Sequence, residues 1–424
     1  MHKRSRERLV YFLGTVVLVG LFSVAGIFLV RGYRIDLVDK KVNASGMLVA
    51  TSDPNGAQVW VDGELNSATN NTILLRPGEY EVKLTKEGFL TWQKRLTIEK
   101  ELVVKTEAIL FPKVPSLSAL TFDGAVNPVV SLDGTKLAYV VPLEESEKTG
   151  LWVMPFTDLP LGFSRDPRMV AKGDFNGAKT GWSPDSRQIL IKTKTGVYYL
   201  LDAAKLNAPN EWKNVTATLA ELSKTWEEEK QRLREAHMKN LPEEMQVIIR
   251  EKSDFASWSP DETKVLYTAT ASGKIAKELV PPLPATSTQM EEREIKVGNT
   301  YVYDIKEDRN FRIAERPMVN ITKAETKTKS VVKPAVKAEI NYDEKFFKEA
   351  ATISWFPSSL HVVLAEESKI VICDYDGTNY QTVYAGPFEK NWAVPYPNGT
   401  RMIILTNFNQ ESEEAANLYA ISLK

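Results

Sequence analysis

The chain has 424 residues, more than one ordinary hydrophobic core accommodates, so two or three domains are expected. Hydrophobic residues make up 43% and charged residues 26%, which excludes wholesale disorder. Lys and Arg (54) balance Asp and Glu (55), so the basic face that a nucleic-acid partner requires has no support in composition.

Residues 1–8 form a basic tail, with Lys3, Arg4, Arg6 and Arg8 against Glu7. From Leu9 to Val30 the sequence carries no charge. As a helix rising about 1.5 Å per residue, this run is roughly 33 Å long, which matches a bilayer core. A cleaved signal peptide has a shorter apolar region, about 7–15 residues, followed by a small-residue cleavage site. Here the run ends in Val30-Arg31-Gly32-Tyr33-Arg34. The expectation is an uncleaved single-pass transmembrane helix over residues 9–30. The positive-inside rule puts the N-terminus in the cytoplasm and the bulk of the chain outside the cytoplasmic membrane. Arg31 and Arg34 pull the other way, with Asp36 and Asp39 close by to offset them.

After a polar spacer, residues 31–46, a β-rich segment covers residues 47–112. Ala57, Val59 and Val61 alternate with Gln58, Trp60 and Asp62, the period-2 pattern of a half-buried strand. Pro54 and Gly56 shape the turn into it, and Asp62-Gly63 supplies the turn out. Pro77-Gly78 is a second turn, ahead of Tyr80, Val82 and Leu84 on one face. Lys86-Glu87-Gly88-Phe89 is a third, with further strand material at Arg95–Ile98 and Leu102–Val104. These residues resemble the PEGA domain, a small β-sandwich of envelope proteins. The likeness is carried by Pro54, Gly56, Ala57, Val59, Val61, Asp62, Gly63, Pro77-Gly78-Glu79-Tyr80 and Gly88-Phe89. Asn55 departs from the family's Glu in an exposed turn. A generic immunoglobulin-like sandwich is the alternative.

The remaining residues, 113–424, are organised by a repeat. Trp182-Ser183-Pro184-Asp185 recurs as Trp258-Ser259-Pro260-Asp261, each copy followed by an apolar strand. Weaker copies stand at Val130–Lys136, Ser354-Trp355-Phe356-Pro357-Ser358 and Tyr396–Arg401. The residues in the Pro place are Leu132, Pro184, Pro260, Pro357 and Pro397, spaced by 52, 76, 97 and 40. A four-stranded propeller blade takes about 40–45 residues, so the longer intervals need insertions. Residues 217–250 supply one, predicted helical. Thr218-Leu219-Ala220-Glu221 reads as a capping box, Leu219, Leu222, Trp226 and Leu233 as an apolar stripe, Glu228 and Arg232 as a surface pair, and Pro242 as the start of a second helix. Residues 275–298 and 323–345 are predicted as loop insertions, the second mobile and basic.

Radial repetition protects strand edges that one long sheet would expose. The fold class expected is therefore all-β: an N-terminal transmembrane helix, a small PEGA-like sandwich, and a β-propeller of five or six blades with a helical insertion. Ser118–Phe122 is a candidate closing strand for the last blade. The Trp-Ser-Pro-Asp form resembles the TolB-like propeller repeat. Trp182, Trp258 and Trp355 are expected to fill the gaps between blades.

Little points to chemistry. His2, His237 and His361 fall in separate segments, and Cys373 stands alone, which excludes an internal disulfide and offers no zinc pattern. There is no nucleophile elbow, P-loop or dinucleotide fingerprint. No catalytic residue, metal or cofactor is assigned. The expected function is a non-enzymatic, membrane-anchored envelope protein that binds or scaffolds cell-wall polymer, surface-layer or other envelope proteins. The alternative is a propeller hydrolase working on carbohydrate or peptide through carboxylates converging at the propeller mouth.

Overall fold

A computed structural model describes all residues except 1, 31–33, 37–40, 44, 143–146, 157–165, 284–286, 316–341, 348–351, 390–391 and 409–414. The chain divides into two compact units, one of Met1–Phe111 with Pro282–Met290, the other of Pro112–Pro281 with Glu291–Lys424.

The first unit begins with helix α1 (His2–Val30). Its large apolar side chains from Tyr11 to Val24, together with Ile27, are exposed. Among the described residues, no helix is long and apolar enough to cross a membrane. A short antiparallel pair, β1 (Arg34–Asp36) and β2 (Lys41–Asn43), lies in the predicted spacer. Seven strands follow: β3 (Gly46–Asp53), β4 (Gln58–Val61), β5 (Glu64–Ala68), β6 (Asn71–Leu75), β7 (Gly78–Thr85), β8 (Trp92–Ile98) and β9 (Val103–Ile109). They form a three-stranded sheet, β6-β3-β9, and a four-stranded sheet, β5-β4-β7-β8.

Alternation decides which residues meet between the sheets. Ala57, Val59, Val61, Val82 and Leu84 are buried with Leu48, Trp92, Leu96 and Ile98 in one core, and Tyr80 packs at its edge. Asp62 (φ 49°) and Gly63 (φ 83°) adopt left-handed angles, and Asp62 Oδ1 accepts the Glu81 N–H at 2.8 Å. Gly78, read from sequence as turn, is instead the first paired residue of β7, opposite Ile98. Strands β5 and β6 escape sequence reading: β5 is mostly exposed, and β6 buries only Ile73 fully, so neither shows a clear alternation. Part of the predicted 275–298 loop belongs to this unit. Gln289 Nε2 donates to the Arg95 carbonyl at 2.7 Å and the Thr97 N–H to Thr288 Oγ1 at 3.3 Å, both on edge strand β8.

Among the described residues, the second unit holds five four-stranded antiparallel sheets. Blade 1 runs from Val126 to Lys172, blade 2 from Lys179 to Asn214, blade 3 from Ser253 to Glu315 and blade 4 from Ile353 to Ala385. Blade 5 combines Ala393–Pro395, Arg401–Thr406 and Asn417–Ser422 with Leu117–Ala119, which pairs with the last strand at Ile421, Ala420 and Tyr419. The last blade is thus completed by the first strand of the unit, as Ser118 and its neighbours predicted.

The insertion after blade 2 folds as α2 (Leu219–Met238) and α3 (Glu243–Glu251). Leu219 and Trp226 are buried, but Leu233 is 46% exposed and leaves the predicted stripe. Thr218 is the N-cap without the capping box: its backbone (φ −105°, ψ 14°) is not the extended cap conformation, and its hydroxyl donates to the Val215 carbonyl instead. Glu228 lies beside Lys224 at 3.8 Å, and Arg232 beside Glu229 at 4.0 Å, in place of the predicted pair. Residues 323–341 lie outside the described residues. Tyr342–Phe346, read as the end of a loop, forms a short helix, α4. Inside blade 3, Arg293 fastens its insertion, 2.8 Å from Glu291 and 3.3 Å from Asp308, while donating to the Ala276 and Asp308 carbonyls.

Candidate binding cavity in the propeller ring

The repeated turn builds the ring from local chemistry. In blade 2, Ser183 Oγ donates to Asp185 Oδ1 (2.6 Å) and accepts the Gln188 N–H (2.9 Å), while Asp185 accepts the Arg187 N–H (3.1 Å). Ser259 and Asp261 repeat the arrangement at 2.6 and 3.0 Å. Ser131 and Asp133 repeat it in blade 1 with Leu132 in the Pro place, so Ser and Asp define the turn and Pro184 and Pro260 only preset it. Burial works against the charge of Asp133, Asp185 and Asp261, but these hydrogen bonds outweigh it and hold each carboxyl below its usual range. The residue after each Asp position is left-handed: Gly134 and Gly399, but also Ser186 (φ 58°), Glu262 (φ 58°) and Ser359 (φ 61°).

Two of those non-glycine residues have a second task. Ser186 Oγ accepts the Asp133 N–H of blade 1 at 3.2 Å, and Ser359 Oγ accepts the Asp261 N–H of blade 3 at 3.0 Å. The tryptophans tie the same neighbours together. Trp182 Nε1 donates to the Val129 carbonyl and Trp355 Nε1 to the Ser257 carbonyl, each at 2.9 Å, and Trp392 links blade 5 to the Pro128 carbonyl at 3.0 Å. Pro357 precedes Ser358 in the blade 4 turn.

Blades 2 and 3 meet differently. Trp258 Nε1 is buried with no hydrogen-bond partner among the described residues, and the Trp258 ring stacks on His237 of α2 at 5.3 Å. The apolar face of blade 2 (Leu190, Tyr198, Leu200) packs on Leu219 and Trp226 of α2 and on Phe346 of α4. The facing side of blade 3 (Val265, Tyr267, Tyr301) packs on Met238, Leu241 and α3 through Met245, Ile248 and Ile249. A helical wedge therefore stands here, whereas the junctions of blades 1 and 2, 3 and 4, and 5 and 1 pack blade against blade. Asp343 fastens α4 to blade 2, 3.0 Å from Lys179, 2.8 Å from Lys192 and 3.0 Å from Tyr198 Oη. Burial opposes its ionisation, yet these three donors bring its pKa down to about 2.

The inner strands and the wedge line a half-open cavity of ≈ 490 Å³, within the range of small-ligand sites. Blade 1 contributes Pro128–Leu132, blade 2 Gly181 and Trp182, blade 3 Ser257, blade 4 Ile353 and Ser354, and blade 5 Trp392–Pro395. The wedge contributes Lys230, Lys345 and Phe346. Among the described residues that line it there is no carboxylate, so the acid pair of the hydrolase alternative does not converge there. Sequence reasoning marked Trp182 but missed Lys230 and Lys345, which carry no motif.

A second cluster of polar side chains lies in blade 4. Ser358 Oγ lies 2.9 Å from His361 Nδ1, and His361 Nε2 lies 3.4 Å from Asp374 Oδ1. This Ser-His-Asp chain occupies the register of the Lys264–Asp304 pair in blade 3, and both His361 and Asp374 are buried. It closes a blade. Cys373 is buried, which pushes its thiol pKa up and away from reactivity. Among the described residues no His/Cys/Asp/Glu group could hold a metal ion.

Residues 45–113 match the PEGA domain, which covers the sandwich described above. No curated protein matches the chain. Among solved structures it is similar to TolB from Acinetobacter baumannii at 11% identity and a TM-score of 0.22, covering 81% of this chain and 59% of that one. A putative TolB from Agrobacterium tumefaciens is similar at 15% identity and a TM-score of 0.20, covering 68% and 71%. An acylaminoacyl peptidase from Pyrococcus horikoshii is similar at 12% and 0.22, and this chain spans only 38% of its length. Residues 45–113 thus carry a PEGA domain, and a β-propeller follows. Its propeller architecture rests on strand order, not on these overlaps.

Proposed function

We propose that the chain is a membrane-anchored envelope protein that presents its PEGA sandwich and propeller outside the cytoplasmic membrane as non-catalytic binding modules. What supports this reading is the uncharged sequence run from Leu9 to Val30 behind a basic tail, which is longer than the exposed apolar stretch from Tyr11 to Val24 seen in α1. Large apolar side chains exposed over several turns of helix are unfavourable in water by about 25 cal/mol per Å², and lipid relieves that cost. The basic tail favours a cytoplasmic N-terminus. The PEGA match supports an envelope setting, and the propeller cavity is the candidate binding site. Cell-wall polymer or an envelope protein is the partner class proposed for the assembly as a whole.

Fractionation of cells expressing the full chain tests the anchor. The wild type is expected in the membrane pellet, resistant to alkaline carbonate, with its bulk open to protease from outside. A Val17→Arg/Leu21→Arg variant should move to the soluble fraction, because each central arginine costs about 2.5–3.5 kcal/mol on insertion scales. Wild-type protein recovered in the supernatant would sink the reading.

A further inference from the structure

We infer that the groove between blade 2 and α2 is a recognition site for a short helical segment carrying a carboxylate followed three and four residues later by aromatic rings. Helix α4 is its tethered occupant, displaced when a partner protein presents such a segment. This rests on the binding-module reading above and specifies what the propeller recognises on its partner.

The groove holds three side chains of one helical face. Asp343 meets Lys179 at 3.0 Å, Lys192 at 2.8 Å and Tyr198 Oη at 3.0 Å, all from blade 2. Phe346 is buried with Leu200, Leu219 and Trp226, edge to face on the Trp226 ring at 5.3 Å. Phe347, whose N–H continues the turn by bonding the Asp343 carbonyl, stacks on Tyr198 with ring centroids 6.4 Å apart. Residues three and four apart share a face, so one short turn of helix makes all these contacts. Blade 2 also makes room for the segment's backbone. The position before the motif tryptophan is Ser257 in blade 3 and Ser354 in blade 4, but Gly181 in blade 2. A Cβ on Gly181 would lie 2.5 Å from the Phe346 carbonyl oxygen, and its three nearest atoms all belong to Phe346 and Phe347. The five residues of α4 are too few for a helix that is stable alone, so its form depends on the groove, as that of a short bound peptide does. A segment of another protein with the same three side chains finds the same partners and competes with the tethered one.

The test uses the full chain in nanodiscs of zwitterionic phospholipid. The probe is a fluorescein-labelled peptide of residues 340–349, and the control is the same peptide with Asp343→Asn and Phe346→Ala. Wild-type protein should bind the probe weakly, because the tethered segment competes at an effective concentration of about a millimolar. Release of the resident segment by Asp343→Ala/Phe346→Ala should make binding saturable and tighter by about tenfold or more. Adding Gly181→Ala, or Lys179→Gln/Lys192→Gln, to that released chain should remove the gain. In unaltered protein, millimolar probe should raise deuterium uptake at residues 342–347 and the control peptide should not, a readout independent of how any variant folds. No rise in uptake, or a released chain of unchanged circular dichroism that binds the probe no better than wild type or ignores Gly181→Ala, would each overturn the inference. If the chain still resists carbonate extraction in those cases, the anchored binding-module reading stands and only this site falls.

Discussion

Two junctions in the same ring solve one packing problem in opposite ways. Between blades 1 and 2, repeat residues meet directly: Trp182 reaches the Val129 carbonyl, Ser186 accepts the Asp133 N–H, and Lys136 Nζ donates to the Ser186 carbonyl at 2.8 Å. Between blades 2 and 3 the same positions hold Trp258, whose indole N–H has no partner among the described residues, and Glu262, 3.7 Å from His237. The repeat motif is the stronger copy at both sites, so the motif alone does not make the junction. What differs is a wedge drawn from two insertions: α2 and α3 after blade 2 and α4 from between blades 3 and 4 fill the gap and bring two lysines to the cavity wall. Direct packing gives a closed apolar wall, whereas the wedge gives a charged one.

The largest expected contrast is between Trp182→Phe and Trp258→Phe. The first removes an inter-blade hydrogen bond to the partly buried Val129 carbonyl and should cost about 0.5–1.5 kcal/mol, whereas the second removes a buried donor that had no partner among the described residues and should be near neutral or stabilising. Urea unfolding followed through the propeller's tryptophan signal reads both, and equal losses would abolish the distinction between the junctions.

A smaller contrast lies at the left-handed turn position. Glu262→Gly relieves a conformation unfavourable to side chains, worth about 1 kcal/mol, and gives up only an exposed contact with His237. Ser186→Gly gains the same relief but loses the inter-blade acceptor, so its net change should be close to zero or negative. Thermal melts of the two variants decide this, and a gain for Ser186→Gly matching that of Glu262→Gly would show that the hydroxyl contributes nothing.

The smallest effect is the staple on α4. Asp343 has a depressed pKa, so its stabilisation is complete above the unfolded value near 3.8 and is lost as pH falls through about 2. Asp343→Asn should flatten the fall in stability between about pH 4 and pH 2 while costing about 0.2–1 kcal/mol at neutral pH. Denaturant midpoints of wild type and variant across that range check it. Identical acid limbs would mean that Asp343 does not hold the wedge.

Much of this molecule is written in local sequence. Period-2 alternation at Ala57, Val59 and Val61, the Asp62-Gly63 turn, and the Ser-x-Asp turns around Ser183 and Ser259 each depend on neighbours within a few residues. Strands, turns and the repeat could therefore be read directly, and so could the helical character of residues 217–250 and the uncharged run from Leu9 to Val30. Contacts between residues far apart in sequence were decided only by tertiary structure. The parallel pairing of β3 with β9, the wedge between blades 2 and 3, the arrival of Lys230 and Lys345 at one cavity, and the helix at Tyr342–Phe346 all depend on which distant surfaces meet. Side-chain period and turn chemistry act over one or two turns of chain. Junctions and cavities are set by the packing of whole faces, which carries no local signature.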